Sequence, residues 1–137
     1  MKTIRGIRNN NPMNIRKGNS WRGERHPQTD REFEEFESME MGLRAGLKLI
    51  KNYQTKPLLL ANKANTIRKI INRWAPPTEN NTQSYIKTVC KRTGLLPDEV
   101  VEWNDKARIV AIAEAMCFVE CGACIDPEII SSAYDLV

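Results

Sequence analysis

Histidine is almost missing from this chain: His26 is the only one among 137 residues. A Cys–His nucleophile pair therefore has nothing in the sequence to bring its members together. Long apolar runs are missing too. No stretch approaches the ~20 residues a helix needs to cross a bilayer, which excludes a helical membrane span. The opening residues, Met1-Lys2-Thr3-Ile4-Arg5-Gly6-Ile7-Arg8, contain no apolar segment of the kind a secretory signal carries. The expectation is a protein made in a cytoplasm that stays there unless another system exports or releases it. Internal repeats, low-complexity tracts and linker-like stretches are also absent, so a single domain over residues 1–137 is expected.

What is present describes a folded chain. Hydrophobic residues make up 41% and charged residues 28%, a globular rather than a disordered balance. At this length a real core can be buried. The net charge of +4 suits an anionic partner such as nucleic acid, a membrane surface or a bacterial wall. By itself it needs no explanation beyond solubility.

Four cysteines occur, Cys90, Cys117, Cys121 and Cys124, and the last three have C-x3-C-x2-C spacing. A thiolate metal site is one reading. The other is buried free thiols, the default where disulfides do not form. No metal or other cofactor is expected.

The first forty residues are polar, and Asn9-Asn10-Asn11-Pro12 and Lys17-Gly18-Asn19-Ser20 are turn chemistry. Short extended pieces near residues 14–16 and 33–37 predict a small antiparallel hairpin or sheet. Helical patterns follow. Ser38 is a good N-cap for a helix to about Tyr53, with Leu43, Leu47 and Ile50 inward. Gly42 and Gly46, four apart, invite close approach by another element. Ile67, Ile70, Ile71 and Trp74 form one helical stripe, which Pro76-Pro77 ends. Asn81 or Thr82 opens a further helix that stops at Gly94. Pro97-Asp98-Glu99 predicts a short helical turn, Asn104 or Asp105 caps a long helix, and Asp126-Pro127-Glu128 is a strong start for the last. The fold class expected is α+β, mainly α, with a small polar β element near the N-terminus.

One residue breaks the pattern. In the helix before Gly122, Ile109, Ala113, Met116, Cys117 and Glu120 share a face at 3.6 residues per turn. Glu120 thus points where the core should be. A buried carboxylate must be paired, or protonated and put to use. The negative end of the helix dipole also favours its neutral form, and a neutral carboxylic acid is what general-acid cleavage of a glycosidic bond requires. The simpler alternative is a solvated residue at a frayed helix end.

Two separated stretches carry a resemblance. Arg5-Gly6-Ile7-Arg8-Asn9-Asn10-Asn11-Pro12-Met13-Asn14-Ile15-Arg16 opens in the manner of a family of phage and prophage proteins, usually described as structural or virion proteins. Trp21-Arg22-Gly23, Phe33, Phe36 and Gly42-Leu43-Arg44-Ala45 continue the match. So do Ile70-Ile71-Asn72-Arg73-Trp74-Ala75-Pro76-Pro77, Glu79-Asn80-Asn81-Thr82 and Tyr85. That family ends a late helix in His-Glu-Asn-Gly. This chain has Val119-Glu120-Cys121-Gly122, with Val for His and Cys for Asn, and Met13 where Gly is usual. The pieces are similar to lysozyme-like muramidases and lytic transglycosylases, but in a different order, which implies a circularly permuted lysozyme-like domain.

The resemblance implies a peptidoglycan-cleaving glycosidase with Glu120 as the general acid on the MurNAc–GlcNAc bond. Hydrolysis needs a second carboxylate, for which Glu24, Asp30, Glu34 and Glu35 are candidates. Glu24 is preferred because it lies in the loop Trp21-Arg22-Gly23-Glu24, whereas Glu34 and Glu35 read as a solvated strand edge. A lytic transglycosylase would need Glu120 alone. Asn11 and Asn14 would hydrogen-bond the acetamido groups or hydroxyls, or stabilise turns. Trp21 would stack on a sugar face and Tyr85 would hydrogen-bond the substrate, or both would pack; Trp74 reads as packing. The partners expected are a peptidoglycan strand and other phage subunits, with the protein virion-associated or released to the wall. A catalytically silent virion or wall-binding protein is the alternative. A nucleic-acid-binding module on Arg5, Arg8, Arg16, Lys17, Arg22 and Arg25 is the second, and Trp21 alone interleaves those charges.

Overall fold

Among the described residues, six α-helices follow in chain order: α1 (Arg5–Arg8), α2 (Met39–Thr55), α3 (Ile67–Trp74), α4 (Thr82–Thr93), α5 (Lys106–Cys121) and α6 (Pro127–Tyr134). The computed structural model describes residues 4–56 and 62–137. The reading of the chain start as free of a signal segment involves Met1, Lys2 and Thr3, which lie outside the described residues.

The caps are those that the local chemistry dictates. Ser38, Thr66, Asn81, Asp105 and Asp126 each accept a main-chain N–H from the first turn of the helix that follows, which satisfies a donor that the helix cannot. Gly94 and Gly122 end α4 and α5 in the left-handed conformation at φ 75° and 74°, where a side chain would be strained.

The core forms where the helical stripes meet. Leu43, Leu47 and Ile50 from α2, Ile67, Ile70 and Ile71 from α3, Ile109, Ile112 and Met116 from α5, and Ile130 from α6 are fully buried. Each such side chain contributes about 1.5–3 kcal/mol over its exposed state. α5 is the central element: α4, α6 and α1 pack against it, while α6 also packs on α2. That is why α5 buries residues on several faces, including Val110, Ala113, Ala115 and Cys117.

The N-terminal segment differs from the hairpin expected. Among the described residues it holds two isolated antiparallel bridges, Arg16 to Phe33 and Glu24 to Phe36. Polar side chains take the main-chain groups that a longer ladder would use. The Asn11 amide donates to the carbonyls of both Ile15 and Glu34 (3.0 and 2.9 Å), the Asn10 amide to that of Phe36, and Gln28 accepts from and donates to the Glu35 main chain. Where a short helical turn is expected at Pro97, a single turn stands, closed by Glu99 N to Leu96 O at 3.2 Å. Pro97 O accepting from Arg68 N and Val101 N donating to Asn65 O tie the segment to the start of α3.

Two close approaches hold this polar segment to the helices. A Cβ on Gly42 would collide with the carbonyl oxygen of Asn10, and one on Gly46 with Sδ of Met13. Met13 itself is fully buried. At the other side, a Cβ on Gly6 would lie 2.8 Å from Cβ of Cys121. The N-terminal loop is thereby held against the C-terminal end of α5.

Candidate functional site

Glu120 occupies the last turn of α5, half-buried, at the wall of a cleft of about 400 Å³. The cleft lies between the N-terminal segment, which supplies Asn14, Arg16, Asn19, Trp21 and Phe33, and the helices, which supply Tyr53 and Trp74. The turn between α3 and α4 adds Glu79 and Asn80. Trp74 ends the buried stripe of α3, so its ring emerges at the cleft. Its Nε1–H donates to Oε2 of Glu120 at 3.2 Å. Tyr85, on the inward face of α4, donates its hydroxyl to the same Oε2 at 3.0 Å. Asn14 donates its amide to the main-chain carbonyl of Glu120 at 2.8 Å.

This arrangement distinguishes the two oxygens of the carboxyl group. Oε2 takes two donors, so a proton on Glu120 belongs on Oε1, which neither donor occupies. Burial raises the Glu120 pKa above its ordinary 4.5, against the opposing pull of hydrogen bonds from Tyr85, Trp74 and Asn14 and the charge of Arg16. Burial and the neighbouring Glu120 charge push the Tyr85 hydroxyl far up, which keeps it a neutral donor. The carboxyl group so built is held in one orientation at the cleft wall, and burial leaves it holding a proton more tightly than a free carboxyl does.

The walls offer flat apolar rings and amides. Arg16 lies over the Phe33 ring at 4.8 Å and pairs with Glu32 at 3.3 Å. A second hollow of about 320 Å³, lined by Asn81, Ser84, Thr88 and Val119, shares Asn80 and Glu120 with the first. Glu120 therefore stands between two depressions. Val119, where the resembled family has His, forms an apolar part of the second.

The structure brings Asn14, Trp21 and Tyr85 to Glu120 or its cleft and leaves other expected residues elsewhere. Asn11 is fully buried, and its side chain also accepts from Ile15 N at 3.0 Å, so it is committed to the turn. Glu24 accepts from Trp21 N at 3.0 Å and is not among the residues lining the cleft. Asp30 is clamped by Arg5 at 2.6 Å and by Asn9 and the amides of Glu32 and Phe33, which hold its pKa far below the usual range. Glu34 and Glu35 are buried, 4% and 2% exposed, and not the solvated strand edge expected. Glu35 gathers Thr29, Asp30 N and Arg25. Burial and the adjacent Glu24 push Glu34 up to about 7.

Trp74, read from its spacing as packing, also donates to Glu120. Nothing in a helical stripe distinguishes a Trp that packs from one whose N–H reaches a carboxylate. Glu79 lies in the run Glu79-Asn80-Asn81-Thr82, and no local pattern marks it as a cleft residue.

The thiols are free: Cys117 is buried, Cys90 and Cys121 half-buried and Cys124 exposed. Among the described residues no three His, Cys, Asp or Glu converge as metal ligands. Of the basic residues considered for nucleic acid, Arg5, Arg8, Arg16 and Arg25 face carboxylates, which reduces the free positive surface. No helix among the described residues is long and apolar enough to cross a membrane.

No protein-family model matches the sequence. It is 38% identical over 126 residues to Protein P5 of Pseudoalteromonas phage PM2, an alignment covering 89% of this chain and 74% of that protein. The chain belongs to the family of phage proteins that includes Protein P5 of phage PM2.

Proposed function

We propose that this chain is a peptidoglycan-cleaving glycosidase of phage or prophage origin, a permuted lysozyme-like domain in which Glu120 is the general acid. The observation that carries the reading is the state of Glu120: half-buried, raised in pKa, and held on one oxygen by Trp74 and Tyr85 at the wall of an open cleft. A structural ion pair would look different, because Glu120 has no Lys or Arg within salt-bridge distance among the described residues. The proton on Oε1 passes to the glycosidic oxygen as the bond to C1 breaks. Trp21 offers a face for a sugar ring, and Asn14, Asn19 and Asn80 offer amides to acetamido groups and hydroxyls. Glu24, in this reading, supports the Trp21 wall through the main chain.

The second reading is a catalytically silent virion or wall-gripping protein with the same cleft. Val119 and Cys121, beside the acid, favour it: a glycosidase relying on the His of the resembled family would lack that group here. Purified peptidoglycan in zymograms and turbidity assays, with wild type beside Glu120→Gln, separates the two. Clearing that disappears in the variant supports the enzyme. Folded wild type that clears no wall type overturns it.

A further inference from the structure

Cleavage by an acid such as Glu120 proceeds in one of two ways. A second carboxylate activates water or attacks C1 itself, or the substrate's own hydroxyl attacks and leaves an anhydro end. The first needs a carboxylate at the same cleft. Of the four carboxylates that the sequence suggested, none lines it. Asp30 and Glu35 have their oxygens taken by arginine, amide and hydroxyl donors, while Glu24 holds Trp21 N and lies against buried Glu34. A carboxylate so occupied has no oxygen to offer an incoming water.

Glu79 differs in each respect. It lies in the turn after Pro76-Pro77, anchored by its main-chain N–H to Pro76 O at 3.0 Å. Its side chain is exposed and has no hydrogen-bond or ion-pair partner among the described residues. Glu79 and Glu120 are the two acidic residues lining the cleft. Their surroundings push them toward opposite roles. Glu120 is half-buried with one oxygen held by two donors, while Glu79 is exposed with both oxygens open to water, the contrast between acid and base that paired glycosidase carboxylates require.

We propose that Glu79 is the general base of a hydrolytic, inverting reaction, an assignment that rests on the glycosidase reading above. The Glu120 proton goes to the leaving glycosidic oxygen as the C1–O bond breaks. The oxygen of a water molecule held by Glu79 bonds to C1 from the opposite face, and its proton goes to the Glu79 carboxylate. The products are two glycans, one with a new reducing end of inverted configuration. Exchange with solvent then returns a proton to Glu120 and removes one from Glu79.

The test uses wild type, Glu79→Gln and Glu120→Gln on purified peptidoglycan in oxygen-18 water, with mass spectrometry of the products. The expected result is reducing ends carrying the heavy isotope, and a Glu79→Gln rate lower by about 100-fold or more at an unchanged thermal unfolding midpoint. Anhydro ends from the wild type overturn the assignment of Glu79 while leaving the Glu120 glycosidase intact. So does a Glu79→Gln rate within about threefold of wild type. Absence of clearing by folded wild type overturns the glycosidase reading, and Glu79's role falls with it.

Discussion

Asn14 and Glu120 stand 106 positions apart in the chain, and the Asn14 side chain donates a 2.8 Å hydrogen bond to the main-chain carbonyl of Glu120. The last carbonyls of a helix have no partner within it. Here the N-terminal loop supplies one, and so couples the polar segment to the end of α5. Asn14 also sits at φ 53°, a left-handed conformation that Asn tolerates and Ala does not. Asn14→Gly, which loses the hydrogen bond alone, should cost about 1 kcal/mol. Asn14→Ala should cost about 2 kcal/mol, because it adds the backbone strain. Urea unfolding of both variants checks this; equal, near-zero changes would show that the contact contributes nothing.

Tyr85 and Trp74 hold the Glu120 pKa down against the effect of burial. Removing a donor to the ionised form raises the pKa of the acid further. The alkaline limb of the wall-cleavage profile, where Glu120 loses its proton, should therefore move to higher pH in Tyr85→Phe and in Trp74→Phe. An alkaline limb that stays put in both variants means that another group sets it.

The same raised pKa makes a prediction about stability that needs no activity. For a carboxyl group whose folded pKa lies above the unfolded one, the folded state binds more protons between the two values. Its contribution is full below the unfolded pKa, near 4.5, and is lost as pH rises through the folded pKa. Glu120→Gln, which cannot ionise, should escape that loss. The Tm of the variant relative to wild type should rise as pH increases above about 4.5 and level off above the folded pKa. A difference that does not change with pH would mean that Glu120 is solvated.

The small residues of α2 make a separate prediction. An added methyl at Gly42 meets the Asn10 carbonyl, which is main chain, while one at Gly46 meets the flexible end of Met13. Gly42→Ala should destabilise by about 1–3 kcal/mol, in the range of overpacking, and Gly46→Ala by less, since a thioether can move. Chemical denaturation that gives the reverse order would show that the loop yields more readily than the core.

The sequence by itself determined α2 to α6, because their signals are local, while α1 carried no such signal. Ser38 and Asp126 are capping residues, Asn65 or Thr66, Asn81 or Thr82 and Asn104 or Asp105 stand at the other starts, Gly94 and Gly122 are stops, and the stripe from Ile67 to Trp74 has helical period. It also singled out Glu120, whose charge on an apolar face conflicts with the pattern around it. The polar N-terminal segment was harder to read. Its alternation suggested a hairpin, but Asn10, Asn11 and Gln28 bond main-chain groups more than twenty or, for Gln28, seven positions away, and no local pattern reveals such pairing. Tertiary structure alone decided the surroundings of Glu120. Packing of α3, α4 and the loop around α5 put Trp74 and Tyr85 on a single oxygen. It buried Glu34 and Glu35, and it left Glu79 exposed at the cleft. Whether a carboxylate is buried, clamped or free depends on neighbours distant in sequence, and those neighbours assemble only when the core closes.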